Sequence, residues 1–358
     1  MTTPITVVKF GGTSIQDQAA FERVARIVSA KKPGAFVVIV SAMSGVTDAL
    51  IESFRSVSTH SPDALRTSPA RVEEQFARHL QVGERLTSER RAQLQAVVET
   101  SRSEIAELLA RAAQNHTPNL RFHDAIASHG ERLAAHLLTL VLEEQGVPAE
   151  HVDARRCVIT NEKHANAEPV FPELQRQTRA ELLPLLRNKR VPVLGGFMGA
   201  TTAGVTTTMG RGSSDYSATL IAAALRARKI EIWTDVDGVQ TADPRLVKST
   251  RTVPHISYAE AAQLARLGAR VMHPKMIEPV MALQIPIRIL NSHAPQRRGT
   301  LISAKPSTGN GAMKAIAHKV AGASAIVGCV GHGLKINFRV EPDAVGSVVR
   351  QLHEVMFE

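Results

Sequence analysis

Residues 5–10 (ITVVKF) and 36–40 (FVVIV) are short runs with almost no polar alternation, and they constrain the fold more than any other feature of the chain. A strand with one face in water alternates apolar and polar side chains, whereas a strand covered on both faces does not. Between the two runs Phe21, Val24, Ala25 and Val28 recur at helical spacing. The segment therefore reads as a β-α-β unit, and a layered α/β domain follows, because parallel strands buried on both sides need helices on both sides.

From about Arg71 to Leu142 the strand signal disappears and helical faces take over, marked by Val72, Phe76 and Leu80, by Leu94, Val97 and Val98, and by Leu133, Leu137 and Leu140. Alternation then resumes. Strands are predicted near Val152, at Cys157 to Thr160, at Val191 to Gly195, at Ile230 to Thr234, and near Ile287 and Leu301. Helices are predicted at Leu174 to Leu186, Asp215 to about Ala227, Tyr258 to Leu267 and Pro274 to Leu283. Residues 304–312 cluster Pro, Ser, Gly and Asn without periodicity and read as a linker between a large unit, 1–303, and a tail, 313–358. The tail carries strand patterns at Ala315 to Lys319, Ala325 to Val330 and Leu334 to Val340, and an amphipathic helix at Ala344 to Met356. It is small for an independent core and is expected to dock on the large unit.

Composition removes several function classes. The 43 Lys and Arg against 33 Asp and Glu give a net charge of +10, which suits acidic partners. Aromatics make up only 4% of the residues and the basic residues are scattered, which argues against nucleic acid. Cys157 and Cys329 stand too far apart for a disulfide framework or a zinc motif, so a reducing, cytoplasmic setting is expected. Neither an export signal nor an apolar run long enough to span a bilayer is present, so no membrane partner is expected.

Three glycine-rich stretches carry the chemistry: Lys9 to Ser14, Gly195 to Gly199, and Gly210 to Asp215. Each is either a tight strand-to-helix turn or a loop whose backbone approaches a ligand. The chain has no Gly-Lys pair, hence no P-loop, and no G-x-G-x-x-G. Lys9, ahead of two glycines, reads as a point charge aimed into such a loop. Ser213 or Ser214 is a candidate N-cap, and Asp215 opens an almost wholly apolar helix beside Arg211. Asp215 either holds Lys9, a Mg²⁺ ion or an amide, or simply sits on the helix dipole. Glu131 is a helix carboxylate within Ser128-His-Gly-Glu131. Asp235 and Asp237 end a strand, followed by Asp243-Pro-Arg245, and form either a nucleotide or Mg²⁺ site or a capped turn. His129, His136 and His273 share no metal-ligand spacing and read as structural.

Together KFGGTS (9–14), SAMSGVTD (41–48), SHGE (128–131), GRGSSDYSA (210–218), WTDVDG (233–238) and GARVMHP (268–274) resemble the aspartate kinases of the amino-acid kinase superfamily, in the family's order, over about residues 5–303. The resemblance implies a three-layer α/β/α sandwich, carbamate kinase-like, with a small α+β C-terminal tail. It implies transfer of a phosphoryl group from ATP, with Mg²⁺, to the β-carboxylate of L-aspartate, in a homodimer or higher homo-oligomer, with no metal site built from a protein motif. Lys9 would neutralise charge on the phosphoryl group, and Gly11 and Gly12 would donate backbone N–H groups. Ser41 and Thr47 would line the aspartate site, Glu131 would take the α-ammonium and Arg211 the α-carboxylate. Asp215 would orient Lys9 and the substrate. Thr234, Asp235, Asp243, Arg245 and Arg270 would serve the nucleotide.

Departures from the family pattern are Ser213 for a second glycine, Gln240 for an aromatic, and Arg270 for lysine. The tail is shorter than the two ACT domains such enzymes carry, so an enzyme without the usual feedback site, or one completing a reduced unit across a dimer, is expected. Two other readings stay open: a kinase for another amino-acid carboxylate, and a non-catalytic nucleotide sensor on the same fold.

Overall fold

The computed structural model describes residues 4–358 except 32–33, 60–61, 115–117, 270–273, 305–312 and 332–333, and leaves out the side chains of 62–68, 274 and 334. Helices are α1 (Gln18–Ser29), α2 (Val46–Ser58), α3 (Pro62–Gly83), α4 (Ser88–Ala113), α5 (Leu120–Glu144), α6 (Phe171–Arg187), α7 (Ser214–Leu225), α8 (Tyr258–Arg266), α9 (Glu278–Met281) and α10 (Val345–Phe357). Strands are β1 (Ile5–Phe10), β2 (Ala35–Val40), β3 (Ala149–His151), β4 (Val191–Gly195), β5 (Met198–Ala200), β6 (Thr206–Thr208), β7 (Lys229–Thr234), β8 (His255–Ser257), β9 (Ile287–Asn291), β10 (Thr300–Ser303), β11 (Met313–Ala321), β12 (Ser324–Gly331) and β13 (Leu334–Val340). Among the described residues, eight strands form one sheet in the order β3-β4-β2-β1-β7-β9-β10-β8, with β10 antiparallel to β9 and the other pairs parallel.

The unbroken apolar runs are explained by two cores, one on each face of this sheet. Val7, Ile39, Leu194, Ile230, Ile232 and Ile287 face one way and pack with Leu174 and Leu182 of α6, Ile221 of α7 and Leu264 of α8. Val8, Phe10, Val38, Val40 and Val193 face the other and pack with Phe21, Leu50, Phe54, Leu94, Leu133 and Leu137 of α1, α2, α4 and α5. This is the three-layer α/β/α sandwich, and the helical insertion thickens one outer layer. The alternation also decides where Lys9 goes. Lying between Val8 and Phe10 in a period of two, it points with Val7 toward the α7 side.

Three sequence expectations need correction. Cys157–Thr160 is not a strand: Asp153 caps a 3₁₀ turn at Ala154–Arg156 by accepting from the Arg155 amide at 3.0 Å, and only isolated bridges follow at Ile159 and Thr160. The helix expected over Pro274–Leu283 is a 3₁₀ turn, Pro274–Met276, then the one-turn α9, with Pro279 in its first turn, where a missing N–H is tolerated but the preceding turn cannot continue. Ser213 occupies the N-cap of α7 but, at φ −79° and ψ 8°, does not cap it, and its buried Oγ has no partner.

In the tail β11, β12 and β13 form an antiparallel sheet, and α10 covers it. The sheet leans on the large unit: the Ile316 amide donates to the Thr241 carbonyl at 2.8 Å, His353 meets the Thr241 hydroxyl at 2.9 Å, and Ala242 and Val247 complete its apolar cluster. The proposed linker falls outside the described residues from 305 onward.

Candidate active site

Lys9 stands one residue from the end of β1, 8% exposed, and its Nζ lies 2.6 Å from Asp215 Oδ1 in the first turn of α7. The phase of β1 and the placement of α7 on that face bring the two together across 206 positions of sequence. Such a pair, taken largely out of water, holds both side chains firmly in place.

Beside it opens a cleft of about 340 Å³ lined by Ser41, Thr47, Glu131, Phe197, Arg211 and Ser214, among others. The cleft is assembled by close contacts. A β-carbon on Gly195, at the end of β4, would sit 2.9 Å from the Glu131 β-carbon and 2.5 Å from Met198, so only glycine lets α5 lie this near the strand end. Glu131 is 4% exposed, and its Oε2 has no partner. Burial pushes its carboxyl up to about 8, against smaller opposing effects from the Ala42 backbone amide and the Lys9 charge. At neutral pH it is largely protonated, so a cation entering the cleft displaces a proton.

Arg211 lies across the cleft and pairs with Asp48 of α2; both side chains are 68% exposed. An ion pair this wet contributes little, so the guanidinium exchanges Asp48 for another carboxylate at small cost. A buried acid and an exposed guanidinium lining one small cleft, with a lysine–aspartate pair next to it, can hold an α-amino acid by both its charges.

The nucleotide-side residues are more scattered. Thr234 ends β7, its hydroxyl donating to Asp235 at 3.0 Å, and its carbonyl accepts from the Ser292 amide at 2.8 Å. Gly11 is corrected: its N–H donates to the Trp233 carbonyl at 3.0 Å, tying β1 to β7, so this amide is committed within the fold. Asp243 and Arg245 pair with one another, the Arg245 amide donating to Asp243 Oδ1 at 3.0 Å, on the segment that receives the tail sheet. Gln240 donates to Thr252 at 3.1 Å. Arg270 and His273 lie outside the described residues. His129 is buried and His136 half-buried, and both are held well below the usual imidazole range, about 3 and 4, chiefly by loss of contact with water.

Sequence reasoning missed three residues. Phe197 lines the cleft at φ +69°. Arg78 of α3 donates to the Ser44 carbonyl at 2.8 Å and the Gln16 carbonyl at 3.2 Å, bridging two of the loops around the site. Asp124 of α5 is a buried carboxylate with several donors. Their partners lie far off in sequence and no local pattern announces them.

The chain matches the Amino acid kinase family over residues 4–291. It is 35% identical over 305 residues to lysine-sensitive aspartokinase 3 of Escherichia coli strain K12, covering 84% of this chain and 64% of that protein. It is 30% identical to the aspartokinase of Rickettsia felis, covering 84% and 61%. The solved structure of E. coli aspartokinase III in complex with aspartate and ADP superposes with a TM-score of 0.87 at 26% identity, covering 99% of this chain and 100% of that one. The chain thus spans a little under two thirds of these curated relatives' length, and 32% of the bifunctional aspartokinase/homoserine dehydrogenase 2 of Arabidopsis thaliana.

Proposed function

The chain belongs to the amino acid kinase family, and on that premise we propose that it transfers the γ-phosphoryl group of ATP to the β-carboxylate of L-aspartate, giving 4-phospho-L-aspartate and ADP. The observation that carries the reading is the largely buried Lys9–Asp215 pair next to a cleft lined by Glu131 and Arg211: Asp215 follows the lining residue Ser214, and the Lys9 charge is felt at Glu131. Relatives named aspartokinase support the choice of substrate.

A carboxylate with an ordinary pKa near 3.9 is an ionised nucleophile at neutral pH, so the reaction needs no general base. It needs alignment and neutralisation of charge on a loose phosphoryl group. In this reading Glu131 takes the α-ammonium, Arg211 turns from Asp48 to the α-carboxylate, and Ser41 and Thr47 bound the space between them. The β-carboxylate then faces Lys9, which Asp215 keeps aimed. Thr234 and Asp235 lie on the nucleotide side, with Gly12 at the phosphates. Mg²⁺ arrives with ATP, since it keeps several waters and takes phosphate oxygens readily. Association of copies and a cytoplasmic setting belong to the same proposal; among the described residues no helix is long and apolar enough to cross a membrane.

The test is hydroxamate formation from Mg-ATP, L-aspartate and hydroxylamine. Aspartyl hydroxamate supports the reading, and hydroxamate from glutamate alone, or from no amino acid, overturns it. A second prediction concerns the loop. A β-carbon on Gly12 would stand 2.8 Å from the Ala42 carbonyl oxygen, backbone that cannot swing aside. Gly12→Ala must therefore part the 9–14 and 41–45 loops, and a displacement near 1 Å is expected to lower kcat/KM by about 10²-fold. Steady-state kinetics check this, and a value within threefold of wild type would count against a phosphate role for the loop.

A further inference from the structure

Asp124 has no assigned task, yet it is fully buried and accepts hydrogen bonds from four groups, three on two segments outside its own helix and one within it. Thr208 Oγ1 lies 2.6 Å from Oδ1, His164 Nδ1 2.8 Å from Oδ2, the Ala165 amide 3.0 Å from both oxygens, and His123 Nδ1 3.1 Å from Oδ1. No lysine or arginine pairs with it in these contacts. The carboxylate is held by hydrogen bonds, which is costly to arrange unless every one is made.

What it holds lies next to the site. Thr208 is the last residue of β6, three positions before Arg211. Ala165 sits at φ +63°, a left-handed conformation that an alanine keeps only where its surroundings over-determine it. The turn it shapes abuts the arginine loop: a β-carbon on Gly210 would stand 3.5 Å from Asn166 Oδ1 and 3.7 Å from the Ala165 carbonyl oxygen. Asn166 is gripped in turn by Lys275 Nζ at 3.1 Å. Glu131 lies seven positions after Asp124 on α5, two helical turns and so on the same face, about 10 Å along the axis.

We propose that Asp124 is a positioning residue for amino-acid recognition: by clamping Thr208 and the 164–166 turn to α5, it fixes the spacing between Glu131 on that helix and Arg211 on the loop beyond β6. The inference rests on the reading of Glu131 and Arg211 as the two ends of an α-amino-acid clamp. A rigid spacing between an acid and a guanidinium is what tells an α-amino acid from an amine or a plain carboxylic acid, because both charges must be met at once.

The experiment compares wild type, Asp124→Asn and Thr208→Val in the full chain. Both variants are expected to raise KM for aspartate about tenfold, the loss of one strong hydrogen bond's worth of placement, with KM for ATP unchanged and kcat within about twofold. Amide hydrogen exchange across 205–213 is expected to quicken in both, with β1 unaffected. Thr208→Val keeps the shape of the side chain and guards against a variant that simply fails to fold. A rise in both KM values in step with a fall in Tm, or exchange across 205–213 equal to wild type, overturns the proposal. If wild type makes no aspartyl hydroxamate, the proposed function falls, and the exchange measurement still decides whether Asp124 tethers the loop.

Discussion

Lys9→Met is expected to lower kcat by about 10²- to 10³-fold and to destabilise the protein by about 3–5 kcal/mol. Both effects come from one geometry. Lys9 and Asp215 lie 2.6 Å apart with side chains 9% and 13% exposed, so removing the ammonium leaves a carboxylate buried without its partner. The same ammonium is the preorganised charge nearest the proposed β-carboxylate, and a charge that is in place before the reaction need not reorganise during it. The two losses separate in a second variant. Lys9→Met combined with Asp215→Asn removes the stranded charge, so stability should return toward wild type while kcat stays low. Urea unfolding and single-turnover phosphoryl transfer measure the two quantities independently. A Lys9→Met protein that keeps kcat within tenfold of wild type would remove the lysine from the chemistry. A double variant that recovers activity would mean that Lys9 serves only to satisfy Asp215.

How much of this was legible depended on how local each signal was. The strands β1 and β2 announced themselves because burial on both faces leaves a mark in consecutive residues, and the same period placed Lys9 on the α7 side. Asp215 at the start of an apolar helix was legible for a similar reason. The short hairpin of β5 and β6 was not, since three-residue strands in a stretch of glycine and threonine carry too little pattern. Neither was the role of Arg78 or Asp124, whose hydrogen bonds join segments between 34 and 84 positions apart. Sequence also misjudged Gly11, whose amide is used by Trp233 once β1 and β7 are neighbours, a neighbourhood that no local pattern states. The Asp243–Arg245 segment shows the remaining limit: spacing marks an acid and a base two apart, but only folding shows that they pair with each other.

Glu131→Gln is expected to raise KM for aspartate by about 10²- to 10³-fold, the loss of one charged partner to a buried ammonium, while leaving the protein more stable than wild type at alkaline pH. The stability sign follows from the direction of the shift. Burial raises the Glu131 carboxyl from its ordinary 4.5 to about 8 in the folded protein, so the folded state holds a proton that the unfolded chain has released. Its contribution to folding is therefore most favourable below about 4.5 and is lost as pH rises through 8, where the ionised acid sits buried without a full set of partners. Glutamine has the same shape and no charge to bury, so the penalty disappears at the alkaline end and with it the attraction for an ammonium. The wild-type protein is expected to show the matching trend in binding. Its KM for aspartate should fall as pH rises from 6 toward 8 and then level, because only the ionised acid binds the ammonium. Binding below that pH should release close to one proton, which titration calorimetry in buffers of different ionisation enthalpy reads directly. A KM for aspartate that is flat from pH 6 to 9, with no proton released, would show that Glu131 is not the group that meets the substrate's ammonium.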